Sequence, residues 1–195
     1  MTQDVTIVGS TITTPRLRLR PWRLGDADDA LEIYGSPEVA RWLSPALGTV
    51  RDVDRMRALL DSWIGSPAGP PGRPAGRWAI EEITTGHVVG SCQILPLPPE
   101  GDDLELGYQL ARKAWGQGYA TEAGHALAHY AFTHGEEEVF AVVRPGNAPG
   151  EHVARRIGME WTGETEKYYG LRLQIFRLRK ADLDKSSLAP TPVER

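Results

Sequence analysis

From Arg16 to Trp22 the chain reads RLRLRPW, charge alternating with leucine. A period of two predicts a strand with one wet face. The following GDADDALEIYGS predicts a short helix capped by Asp26, with acids in its first turn. SPEVARWLS adds a further helical turn that begins at Pro37. Between Thr49 and Ile64 the apolar residues Val53, Met56, Leu59, Leu60, Trp63 and Ile64 fall three and four apart. That spacing predicts an amphipathic helix, the best marked in the N-terminal half. GSPAGPPGRPAG, from Gly65 to Gly76, suits neither helix nor sheet and reads as an exposed, mobile loop. RWAIEEI and HVVGSCQILPL flank a tight turn at Thr84 to Gly86 and read as a hairpin. After a turn at PPEGDD, Leu104 to Ala111 (LELGYQLA) forms a third strand of this group. Gly118 to His134 is a helix with apolar Ala123, Leu127, Tyr130 and Ala131. EVFAVVRP is a buried strand, NAPGEHVARRIG a short helix ended by Gly158, and MEWTGETEKYYGLRLQIFRLRKADL a final hairpin.

This order of strand, helices, several strands, helix, strand, helix and strands predicts one mixed α/β (α+β) domain over residues 1–185. Residues 186–195 form a polar tail. At 195 residues and 41% hydrophobic content the chain suits one core and is short for two. A net charge of −4 supplies no basic stripe, which argues against a nucleic-acid partner. The single cysteine, Cys92, allows no internal disulfide and fits a reducing compartment. The N-terminus lacks the pattern of a secretory signal, and no run approaches the ~20 apolar residues of a membrane span. A cytoplasmic location with no membrane partner is therefore expected.

Chemistry concentrates at WGQGYAT, residues 115–121. Two glycines stand where a helix is about to begin. A helix N-terminus offers unpaired N–H groups and partial positive charge, and a glycine ahead of it lets backbone approach an anion. Gly116, Gln117, Gly118, Tyr119 and Ala120 would supply amides and Thr121 a hydroxyl. A plain glycine turn between strand and helix has the same composition. A P-loop requires lysine followed by Ser or Thr after its last glycine, but Gly118 precedes Tyr119. A dinucleotide fingerprint requires a final Gly or Ala where Thr121 stands, after a continuously apolar strand that LELGYQL is not.

The remaining pattern is (Q/R)-x-x-G-x-(G/A), the coenzyme A pyrophosphate loop of the GNAT acetyltransferases. Gly118, Tyr119 and Ala120 meet its last three positions, and Trp115 stands at the first. WGQGYATEA after LELGYQLARKA resembles the RimJ/RimL-like branch of that superfamily, in which tryptophan at that first position is usual. TPRLRLRPWRLGDADDALEIY, VVGSCQI and VRPGNAPGEHVARRIGME extend the resemblance over nearly the whole chain. It implies a GNAT fold: a mixed, centrally splayed, mostly antiparallel sheet flanked by helices. It also implies acetyl-CoA as cosubstrate, with direct transfer of acetyl to an amine acceptor, either a protein N-terminus or a small molecule. Homodimers are common in this family.

By the same resemblance, the backbone of Tyr108, Gln109 and Leu110 contacts pantetheine and thioester. Gly107 would mark a bulge or close approach at the splay, and Asn147 is the polar contact near the acetyl end. Glu105 lies near where several relatives keep a catalytic glutamate and is the candidate base, since an amine attacks only when neutral. A glutamate on a half-wet strand is equally well read as solvated. The helix after Asn147 lacks the tyrosine that many relatives use as an acid, and Gly150 replaces a usual serine. Tyr168 and Tyr169 are substitutes that the sequence does not position. Those departures keep open a non-catalytic acyl-CoA-binding module, or transfer of another acyl group. Trp22, Trp42, Trp63 and Trp78 read as core or pocket wall, with Trp42 beside Arg41 placed to face the acceptor. His125 and His129 are four apart but lack the glutamate of a zinc motif, so no metal is expected.

Overall fold

The computed structural model describes residues 4–43, 48–66, 68–98, 101 and 103–183. The polar tail therefore lies outside the described residues.

Among the described residues nine strands form one sheet: β1 (Thr6–Val8), β2 (Thr11–Thr13), β3 (Leu17–Pro21), β4 (Gly76–Glu82), β5 (Val88–Pro96), β6 (Leu104–Leu110), β7 (Glu138–Val143), β8 (Glu160–Thr165) and β9 (Leu173–Arg179). Their spatial order is β1-β2-β3-β4-β5-β6-β7-β9-β8. Every neighbouring pair is antiparallel except β6–β7, which is parallel. The helices are α1 (Ala27–Tyr34), α2 (Pro37–Ala40), α3 (Val53–Gly65), α4 (Tyr119–Thr133) and α5 (Ala148–Ile157).

The sheet is covered on both faces. One core joins Leu17, Leu19, Ile80, Ile94 and Leu106 to Ala123, Leu127 and Ala131 of α4 and Ile157 of α5. Cys92 is buried in this core. A second core on the opposite face joins Ala79 to Ile33 and Tyr34 of α1 and to Met56 and Leu60 of α3. The apolar spacing of α3 thus points its stripe at α1. Trp22 and Trp78 are buried, one in each core.

Three local expectations change, and that for Gly107 narrows to one of its two readings. Strands β1 and β2 precede the predicted first strand; each has three residues, too few for a readable period. Asp26 stands at the N-cap of α1 without capping it through its side chain. Its carboxylate instead takes two hydrogen bonds from buried Arg20 (2.8 and 2.9 Å) and one from the Arg23 N–H. The proline-rich loop is exposed over much of its length, as expected, but its C-terminal part is anchored: Arg73 donates to both oxygens of Glu136 (2.8 and 2.9 Å), and Pro74 is buried. Gly107 lies in unbroken register opposite Gln93, so it marks no bulge. A Cβ there would come within 2.9 Å of the Gln93 side chain, which explains the glycine as a close approach.

Candidate active site at the splay

Strands β6 and β7 pair at a single register position, Glu105 opposite Phe140. Beyond it they diverge, and residues 106–110 of β6 have no strand partner on that side. Buried backbone must find partners somewhere, so a half-paired central strand is an unfilled binding edge. The divergence opens a cavity of about 510 Å³. Leu106, Gly107, Tyr108, Gln109 and Leu110 line it from β6, and Ala141, Val142, Val143 and Arg144 from the β7 side. Asn147 and Gly150 line it from the start of α5, and Trp115, Gly116 and Ala120 from the loop into α4.

That loop explains its own glycines. Gly116 and Gly118 sit at φ 77° and 80°, a left-handed conformation that side chains disfavour. The second is the N-cap of α4 and brings no capping side chain, so the first-turn N–H groups stay uncapped. Trp115 is half-exposed, and its indole N–H donates to the Leu110 carbonyl (2.9 Å), bracing the loop against the end of β6. Gln117, Gly118, Tyr119 and Thr121 do not line the cavity itself. Gln117 accepts from Arg16 through its carbonyl (2.9 Å). The Tyr119 side chain turns away and donates its hydroxyl to Glu82.

Beneath the loop lies an arrangement that sequence reasoning missed. Glu122, in the first turn of α4, is buried. It accepts from the Thr14 hydroxyl (2.6 Å), the Arg16 backbone N–H (3.1 Å) and the Arg16 Nε (2.6 Å). The Arg16 guanidinium also lies over the Tyr119 ring, 4.8 Å from its centroid. The N-terminus of α4 is thereby fixed to the strand end more than 100 residues earlier. The available signal was an acid beside small residues on the buried face of a helix.

Glu105 stands at the vertex of the splay and lines the cavity. Its Oε2 accepts from the Tyr169 hydroxyl at 2.8 Å. Burial pushes its carboxyl up to about 7, against a smaller opposing effect of that hydrogen bond. A carboxyl near neutrality can both take and release a proton at working pH. The adjacent Tyr168 donates to Asp103 Oδ2 at 2.7 Å. Both tyrosines, which the sequence could not position, thus reach β6 or the residue just before it from the turn between β8 and β9.

Tyr108 lines the cavity with its hydroxyl 3.4 Å from the Gly150 carbonyl, and burial raises its pKa. The Gln109 side chain leaves the cavity for the opposite core and donates to the Tyr34 hydroxyl (2.6 Å). Asn147 caps α5 by accepting from the Gly150 N–H (3.2 Å). A Cβ at Gly150 would lie 2.7 Å from Asn147 Nδ2, so the absent serine and this rotamer belong together. Arg41 stacks on Trp42 (4.6 Å), and both line the mouth of the cavity with Leu43. Arg144 donates to the Leu43 carbonyl (2.7 Å), tying that mouth to β7. No described residue of the proline-rich loop lines it. His125 and His129 stack edge-on, 4.9 Å apart, and no cluster able to hold a metal occurs among the described residues. No helix among them is long and apolar enough to cross a membrane.

A family model described as an acetyltransferase (GNAT) domain matches residues 16–160. The uncharacterized N-acetyltransferase p20 of Bacillus licheniformis is 30% identical over 170 residues, covering 85% of this chain and 93% of its own. Among solved structures, an acetyltransferase (GNAT family) from Bacillus anthracis superposes with a TM-score of 0.72 at 20% identity, over 88% of this chain and 99% of its own. Mycobacterium smegmatis RimJ in complex with CoA-disulfide does so with a TM-score of 0.69 at 21% identity, over 93% and 88%.

Proposed function

The chain belongs to the GNAT acetyltransferase family, and from that premise we propose that it moves an acetyl group from acetyl-CoA directly to a primary amine, with Glu105 as the base. The observation that carries this reading is the juxtaposition at one vertex. A strand edge without a partner meets a carboxylate that burial pushes up to about 7. The cavity fits an elongated thioester: it runs from an uncapped helix N-terminus along a free strand edge to a carboxylate.

When bound, acetyl-CoA supplies the activated acetyl group. Its pyrophosphate would be held by the loop of Gly116, Gln117 and Gly118 and by the N–H groups of Tyr119, Ala120 and Thr121, where the helix dipole favours anions. The free edge from Tyr108 to Leu110 would pair with the pantetheine arm, which would stand in for the missing strand partner. An N–H of β6 would polarise the thioester carbonyl. Asn147 offers its Nδ2 at the α5 side of the cleft. Glu105 Oε1 takes the proton from the entering ammonium or its attacking amine, so that nitrogen presents a free electron pair. The departing thiolate, with a thiol pKa of about 8.5, needs no strong acid. The mouth formed by Arg41, Trp42 and Leu43 is where the amine's remaining body would rest, so peptide N-termini and small amines both suit it.

Replacement of Glu105 by Gln tests the assignment. Turnover at pH 7 on a panel of amines should fall by 10²-fold or more, on the order of general-base catalysis. The CoA dissociation constant should stay within about twofold. A wild-type rate would remove Glu105 from the chemistry. Tight CoA binding with no turnover of wild type on any amine would leave only acyl-CoA binding.

A further inference from the structure

The turn between β8 and β9 presents two tyrosines to two carboxylates. Tyr168 donates to Asp103 and Tyr169 to Glu105, at 2.7 and 2.8 Å. The two contacts are chemically alike but differ in setting. Tyr168 is buried in a small core with Leu97 and Leu173, and Asp103 also has Lys167 Nζ at 3.8 Å. That pair latches the hairpin to the sheet. Tyr169 and Glu105 line the cleft instead.

Tyr169 reaches Glu105 from an unfavourable backbone. Residues 168–171 close a turn, with the Leu171 N–H 3.2 Å from the Tyr168 carbonyl. Tyr169 and Gly170 have φ of 56° and 64°. Tyr169 is the only non-glycine with positive φ among the described residues. Glycine or asparagine would occupy its position in such a turn with little strain. An aromatic residue there is over-determined by its surroundings, and the contact its hydroxyl makes is with Glu105. Only Oε2 of that carboxylate has a hydrogen-bond partner among the described residues.

We propose that Tyr169 is a positioning residue for Glu105, holding Oε2 so that Oε1 is the oxygen presented to the acceptor nitrogen. This rests on the reading of Glu105 as the base. The groups around Glu105 leave the task to Tyr169. Its strand neighbours are Leu95 on β5 and Phe140 on β7, both apolar. Tyr108 on its own strand faces the same cleft and bonds to Gly150. Arg144 is held by Leu43, Arg41 is stacked on Trp42, and Asp103 is occupied by Tyr168 and Lys167. A hydroxyl donated to a carboxylate favours its charged form, so Tyr169 holds the base ready against burial.

The test follows the Glu105 carboxyl by ¹³C NMR titration in glutamate-labelled protein, its signal assigned by loss in Glu105→Gln. Tyr169→Phe should move that titration upward by roughly one pH unit. In turnover, kcat should fall severalfold below pH 7 and recover as pH rises, with CoA affinity unchanged. Tyr169→Asn, which relieves the turn, should shift the titration equally. Tyr168→Phe should lower the melting temperature and leave the titration in place. An unmoved Glu105 titration in Tyr169→Phe overturns the proposal, as does wild-type behaviour of Tyr169→Asn, which would make Tyr169 a turn residue only. The titration needs no acceptor, so its failure is distinct from failure of the base assignment, which shows as full turnover by Glu105→Gln.

Discussion

Glu105 works against its surroundings, and the cost appears in stability. A glutamate ordinarily titrates near 4.3, whereas burial pushes this one up to about 7. Between those values the folded chain keeps a proton that the unfolded chain has already released. Stability from this group is therefore lost as pH rises from about 4 to about 7, and the loss levels off above. Glu105→Gln removes the penalty. The variant should be more stable than wild type at pH 8 by roughly 1–3 kcal/mol and nearly equal to it at pH 4.5, measured by urea unfolding. A loss of activity with a gain of stability at pH 8 is the signature expected of a base kept in an unfavourable place. Tyr169 shows the same trade in its backbone, since a left-handed conformation costs a non-glycine residue roughly 1–2 kcal/mol.

Helix α4 illustrates how an element is both legible and incomplete in sequence. Its glycine entry and its apolar residues mark where it starts and which side it buries. Neither says what fixes its N-terminus in space. That is the work of Glu122, which accepts three hydrogen bonds from Thr14 and Arg16. Glu122→Ala would leave those donors beneath the loop without their acceptor. Because Arg16 is about half exposed (48% for its side chain), its guanidinium can turn to water, which limits the loss. Unfolding in urea should show destabilisation of about 2–3 kcal/mol, and CoA affinity should weaken because the loop of Gly116 and Gly118 loses its footing. The same helix meets α5 closely enough that a Cβ at Gly124 would come within 2.3 Å of Ile157 Cδ1. That glycine therefore serves helix packing rather than a turn.

At the scale of the molecule the decisive feature is a sheet whose central pair, β6 and β7, meets at a single register position. Two antiparallel groups meet at one parallel junction, and that junction holds for one residue pair. Helices on both faces and the β8–β9 turn hold the two halves apart while leaving the strand edge reachable. Hydrogen exchange should detect this directly. Addition of CoA should slow amide exchange in residues 107–110 and 116–121 and leave β4 unaffected. Equal exchange with and without CoA at the β6 edge would remove the splay from cofactor binding.

The sequence by itself determined what depends on neighbours along the chain. The period of RLRLRPW gave a strand, the spacing from Val53 to Ile64 a helix, and Gly116 and Gly118 a turn that only glycine enters easily. The same motif carried the family resemblance, and with it the splay as an expectation. Tertiary structure decided what depends on residues meeting across the fold. Asp26 became the partner of Arg20 rather than a cap of α1, and Arg73 anchored one end of a loop whose composition reads as free. Tyr169 reached Glu105 across 64 positions of sequence. Periodicity and turn chemistry act within a few residues and leave a pattern in the string. A buried carboxylate's partner and its proton affinity are set by whatever the fold brings within hydrogen-bond distance, which no local pattern encodes.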